Sequence, residues 1–80
     1  MEKNLKNKVY KHLKIFAENL KSERIAKNLK QKELASSIGI TTQSYQAYEA
    51  GLTMPTAENL LKLSLILDVS LDDLFDLNKQ

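Results

Sequence analysis

The sequence predicts an all-α fold: a bundle of five helices, plus whatever residues 1–14 form at the N-terminal end. Three observations carry that reading. Chain breakers are few, with two glycines, Gly39 and Gly51, and one proline, Pro55, in 80 residues. β-branched residues are scattered, and no stretch alternates apolar and polar residues for long, so a sheet signal is missing. Apolar residues recur instead at helical spacing, with cap and turn residues between the periodic segments.

The first segment carries a stripe of Leu5, Val9, Leu13, Phe16 and Leu20, at steps of four, four, three and four. One long helix or two consecutive helices would serve this pattern. Asn28 ends it, because Asn tolerates the left-handed cap conformation. A second helix covers about 31–38, with Leu34, Ala35 and Ile38 on one face and Gly39 as its cap. A third covers about 42–50. The Thr41 hydroxyl caps its N-terminus by accepting a free backbone N–H, and Gly51 caps its end. A fourth opens after Pro55, is capped by Thr56 and runs to about Leu67. It is apolar on nearly all sides, so it is expected to be buried all round at the centre of the core. Ser70 caps a last short helix, about 71–77, with Asp72 and Asp73 at its positive end.

Composition narrows the function classes. No cysteine and no apolar run long enough for a membrane span or signal peptide fit a cytoplasmic protein. One histidine and no cysteine leave no zinc set, so no metal and no cofactor are expected. His12, set among lysines, reads as a surface residue. The formal charge of +2 hides a split. Residues 1–32 hold ten Lys/Arg against three acids, a net +7, and residues 33–80 carry −5. Such asymmetry suits a nucleic-acid face, but from charge alone an ordinary solvated lysine-rich helix is the better reading.

The segment from Gln31 to Ala50 is the informative one: helix, glycine turn, helix, in twenty residues. Two helices crossing steeply need a small residue where the backbones approach and a glycine where φ turns positive. Ala35 and Gly39 stand at those places. On the third helix, Gln43, Gln46, Ala47 and Ala50 share one face, and Tyr45 and Tyr48 share another. The first face has no charge, and its long side chains are both Gln. Gln can bond adenine and Ala can touch a thymine methyl, so this face suits the major groove; an ordinary polar face also fits. The tyrosine spacing reads as core anchoring, with hydroxyls reaching the surface, in preference to base stacking.

With these residues in place, the stretch from about Phe16 to Phe75 resembles the Cro and phage-repressor type (XRE-like) helix-turn-helix domain. The matching residues are Arg24, Asn28 to Gln31, Leu34-Ala35, Ile38-Gly39-Ile40, Tyr45, Tyr48-Glu49, Gly51, Pro55, Leu60, Leu63, Leu67, Val69 and Leu74. The resemblance implies a compact five-helix, lambda-repressor-like bundle over residues 15–77, with helices two and three as the DNA-reading pair. Residues 1–14 lie outside it, as a basic N-terminal helical extension. They either contact phosphate or pack on the bundle or a second subunit through Leu5, Val9 and Leu13, and the apolar stripe favours packing.

The resemblance also implies roles. Thr41, Thr42, Gln43 and Ser44, with Gln46 and Ala47 one turn on, form the DNA-binding set, and Gln43 is the strongest candidate for a base contact. Gln31, at the start of helix two, is placed to meet phosphate. Arg24 and Glu49 match a structural ion pair beside the DNA. The sequence departs from the family pattern in three ways. Lys30 replaces a capping hydroxyl, Glu23 stands where an apolar residue is common, and neither helix three nor the loop after Gly51 has a Lys or Arg. Phosphate attraction is therefore expected from the lysines of helix one, from Lys30 and Lys32, or from the extension.

The reading that follows is a sequence-specific DNA-binding transcriptional regulator, a small repressor in type. It would read a palindromic operator as a homodimer through residues 69–77, from Val69 to Leu77. Leu71, Leu74, Phe75 and Leu77 are more apolar residues than so short a helix needs. Eighty residues leave room for one domain, which favours a small repressor, controller or antitoxin-like autoregulator over a ligand sensor. No small-molecule ligand is evident. The alternative is a protein-interaction module or antitoxin-like partner that keeps the fold with weak or no DNA binding. An enzyme is not expected: there is no nucleophile with a base and no glycine-rich phosphate loop.

Overall fold

The computed structural model describes residues 2–78, so Met1, the first residue of the expected extension, and the last two residues, Lys79 and Gln80, lie outside it. Five helices follow in order: α1 (Glu2–Ala26), α2 (Gln31–Ile38), α3 (Thr42–Glu49), α4 (Ala57–Leu67) and α5 (Leu71–Phe75). No strand occurs among the described residues. The open choice over the first segment resolves to one helix. The extension and the first bundle helix are continuous, with no break near residue 14. At 1.5 Å per residue, the 25 residues of α1 span about 37 Å. This helix accounts for the longest dimension of the molecule, 39 Å.

A residue in the left-handed region stands at the end of each helix or within two residues beyond it. Asn28 (φ 58°) follows α1, Gly39 (φ 80°) closes α2 and Gly51 (φ 72°) follows α3; Asp68 (φ 53°) and Asp76 (φ 59°) close α4 and α5. Reversing the chain this way satisfies late helix carbonyls, as where Ile40 N–H donates to Ala35 O at 3.0 Å. The C-cap of α3 is Ala50, with Gly51 one residue beyond it. Asp76 stops α5 at Phe75, two residues short of the expected end. Asp has the short polar side chain that tolerates this conformation, so these two ends lack a glycine signal.

N-termini follow the expected hydroxyl caps. Thr41, Thr56 and Ser70 accept from the N–H groups of Ser44, Asn59 and Asp73 at 3.0–3.2 Å. At α2 the Lys30 side chain offers no acceptor. Glu33 bonds back instead, its carboxylate accepting the Lys30 N–H at 2.8 Å.

The core gathers on α1. Leu13, Phe16, Ala17 and Leu20 are buried there, against Leu34, Ala35 and Ile38 of α2, Tyr45 and Tyr48 of α3, Leu63 and Leu67 of α4, and Leu74 of α5. The expectation that α4 would be buried all round does not hold. Leu65 is 79% exposed, Leu61 56% and Ile66 40%. The cause is architectural: α2 and α5 pack against α4 on one side, and α1, not α4, occupies the centre. A helix in an outer position buries one stripe whatever its composition.

α5 is tied down on α1. Phe75 stacks on Phe16 with ring centroids 4.6 Å apart. Asn19 Nδ2 donates to Leu74 O at 2.9 Å, and His12 Nδ1 lies 2.8 Å from Phe75 O. His12 is thus half-buried and structural, in contrast to the surface residue its lysine neighbours suggest. Leu74 and Phe75 are engaged inside the fold, so the apolar excess read at this end is largely a core requirement.

Candidate nucleic-acid interface

Helices α2 and α3 pack on each other, and α3 also packs on α1. Ala35, 1% exposed, sits in the core of that packing, and the three-residue turn Gly39-Ile40-Thr41 joins the two helices. This is the steeply joined pair that the small residue and the glycine require.

The inward side of α3 is fixed by its tyrosines and by Glu49. Tyr45 is fully buried and Tyr48 is 8% exposed, their rings edge-to-face with centroids 6.2 Å apart. The core anchoring that the spacing suggested holds, and both hydroxyls have partners within the fold. Tyr45 donates to Glu49 Oε2, one turn along α3, and Tyr48 Oη accepts from Asn59 Nδ2 at 3.1 Å. A buried phenol needs such a partner.

Glu49 is the hub of the site, its side chain only 5% exposed. Arg24 Nε donates to Oε2 at 2.6 Å and Arg24 Nη2 donates to Oε1 at 3.1 Å. Gln31 Nε2 adds a bond to Oε1 at 3.0 Å. Arg24 Nη1 also donates to Leu29 O at 2.8 Å, so the guanidinium holds the turn after α1 as well. One carboxylate therefore joins α1, α2 and α3. Burial alone pushes the Glu49 carboxyl up, but the bonds from Arg24, Tyr45 and Gln31 outweigh it, and it sits below its ordinary value. The bond to Glu49 raises Arg24, and burial followed by the bond to Glu49 raises the Tyr45 phenol well above its ordinary value.

The remaining expected site residues divide by this network. Gln31 donates to Glu49, and its Oε1 accepts from Gln46 Nε2 at 3.3 Å. Both amides are thus part of the brace across the helix pair. Thr41 and Ser44 are linked by the cap and by a hydroxyl–hydroxyl bond of 3.0 Å. Thr42 and Ala47 are half-buried. Gln43 is exposed at the first turn of α3, and no hydrogen bond among the described residues holds its amide. The sequence reading missed the chain that runs from Gln46 through Gln31 to Glu49. The four-residue spacing of Tyr45 and Glu49 was the one local signal for the hub.

The cations sort by position along α1. Lys14 to Lys6 stand ten to eighteen residues before Arg24, about 15–27 Å along the axis. Lys27, Lys30 and Lys32, all exposed, flank the turn that leads into α2.

A helix pair joined by a glycine turn, with an uncharged outer face and a braced inner one, defines a helix-turn-helix domain. Residues 20–74 match the family model described as Helix-turn-helix, and the chain belongs to that family. It is 48% identical over 58 residues to an uncharacterized HTH-type transcriptional regulator, YqaE, of Bacillus subtilis (strain 168), covering 72% of this chain and 50% of that protein. It is 44% identical over 57 residues to the cryptic phage CTXphi transcriptional repressor RstR of Vibrio cholerae, covering 71% and 51%. A SPbeta prophage-derived regulator of Bacillus subtilis, YonR, is 45% identical over 58 residues, covering 72% and 54%. The chain spans about half the length of these curated relatives. No solved structure matches it.

Proposed function

We propose that the chain is a sequence-specific DNA-binding transcriptional regulator of the repressor kind, working in the cytoplasm on double-stranded DNA. The observation that carries this is the contrast across α3. Tyr45, Tyr48 and Glu49 hold its inner side rigidly, and Gln43 stands exposed at its first turn on an uncharged face. Thr41, Thr42 and Ser44 surround Gln43, with Gln46 and Ala47 completing the reading surface, and the N-terminus of α2 at Gln31 receives a phosphate. The named repressor relative supports the direction of regulation.

A palindromic operator read by a homodimer completes the proposal, because two-fold symmetry lets two weak half-sites combine. The dimer surface is the end from Val69 to Leu77, to which the exposed Leu65 and Ile66 of α4 add apolar area. One observation favours a second reading, a protein-interaction module. Neither α3 nor the loop after Gly51 carries a Lys or Arg. Selection of bound sequences from random duplex DNA, followed by fluorescence anisotropy on the winners, separates the two. A shared sequence pattern with symmetric halves supports the regulator. No retained DNA even at low salt supports the interaction module.

A further inference from the structure

α1 overhangs the bundle. Its first turns run past α5, and the stripe residues Leu5 (65% exposed) and Val9 (48%) have no helix above them. Together with Lys8, His12, Met54, Phe75 and Leu77 they line an open groove of about 360 Å3 whose surface is mostly apolar. Beside it stands the end of α5, a knob of opposite character. Asp72 is exposed on its first turn, and Leu77 is 48% exposed just beyond its last. Leu77 is shared by the two and its N–H donates to Asp72 O at 2.9 Å, so the groove with its Lys8 and the acidic end of α5 with its Asp72 adjoin through it.

We propose that the α5 knob of one copy seats in the α1 groove of a second copy, and reciprocally, about a two-fold axis between the two α5 ends. A two-fold contact uses the same patch twice, so it is favourable only if the patch complements itself. Here it does: Leu5 and Val9 of each copy cover Leu77 of the other, and Lys8 of each meets the other's Asp72. The charge split supplies the selection. Two overhangs laid side by side would bring like charges together, since residues 2–14 hold five lysines and one glutamate. An overhang laid on the acidic end removes that repulsion. The contact also leaves α3 free, because the overhang lies at the end of α1 remote from Arg24 and Glu49. This inference rests on the homodimer part of the proposed function and assigns residues outside the family match to it.

Sedimentation equilibrium on the full chain tests it, with circular dichroism as the check on folding. Lys8→Glu and Asp72→Lys, each at an exposed position, are expected to weaken the dimer about tenfold or more. An equimolar mixture of the two variants restores it, because both interfacial pairs are then of opposite sign. Leu5→Glu abolishes the dimer with no rescue. Failure of the mixture to associate overturns the proposal, as does a dimer indifferent to Leu5→Glu. If Leu65→Glu breaks the dimer and Leu5→Glu does not, the homodimer stands on α4 and α5 and the groove contact is wrong. A wild-type chain that stays monomeric both free and on operator DNA overturns the groove contact and the homodimer together. DNA binding is scored separately, by anisotropy.

Discussion

Arg24 and Glu49 stand 25 residues apart and meet through two hydrogen bonds, Nε to Oε2 at 2.6 Å and Nη2 to Oε1 at 3.1 Å. The pair is 12% and 5% exposed at its side chains, and it locks the last turn of α3 to the last turn of α1. With Gln31 and Tyr45 on the same carboxylate, the orientation of α3 depends on this pair. Arg24→Ala leaves Glu49 without its cation in a largely dry place. We expect a loss of about 3 kcal/mol in urea unfolding, together with weaker DNA binding. Arg24→Lys recovers only part of this, because an ammonium cannot make both parallel bonds.

The same carboxylate makes stability depend on pH. Glu49 is held below its ordinary value when folded, so its ionised form stabilises the fold. That contribution is complete above the ordinary carboxylate range and is lost as pH falls through the lowered folded value. Thermal unfolding from neutral pH down to about pH 3 should show a steeper loss of Tm for the wild type than for Glu49→Gln.

Gln43→Ala is expected to leave the fold unchanged, since its amide is exposed. It should relax preference at one base position in each half-site. The loss of discrimination is about 1–3 kcal/mol, read by anisotropy on matched and substituted operators. Equal weakening on every sequence would instead make Gln43 a phosphate ligand.

Salt dependence separates the lysines. Replacing Lys27, Lys30 and Lys32 by Gln should reduce the slope of log K against log salt by roughly 0.9 for each phosphate no longer neutralised. Replacing Lys6 and Lys14, about 15–27 Å back along α1, should leave the slope unchanged.

α4 offers a packing test. Leu63→Ala, at a fully buried position, should cost about 2–5 kcal/mol. Leu65→Ala, at a position 79% exposed, should change monomer stability by about 0.5 kcal/mol or less. Similar losses at both would mean that α4 is covered on a second side in solution.

Local features were readable in advance because their causes are local. Thr41, Thr56 and Ser70 announce helix starts through a hydroxyl that reaches two or three residues along the chain. Gly39 announces a helix end because its backbone tolerates positive φ. Asp68 and Asp76 end α4 and α5 by the same conformation, but Asp is common enough elsewhere that nothing marks those two beforehand. The helix pair around Ala35 and Gly39 was legible for the same local reason, as was the uncharged face of α3.

By itself, then, the sequence determined the helices, most of their caps and the chemistry of the face that Gln43 presents. The tertiary structure decided what those helices enclose. It put α1 at the centre and α4 outside, so Leu61 and Leu65 are exposed although α4 is the most apolar helix. It turned His12 inward onto Phe75 and drew Gln31 and Gln46 into the brace around Glu49. It also left Leu5 and Val9 uncovered, though the stripe continues unbroken into the buried Leu13 and Phe16. Periodicity says which side of a helix is apolar. Whether that side is covered depends on how far the neighbouring helices reach, and α5 stops at Phe75.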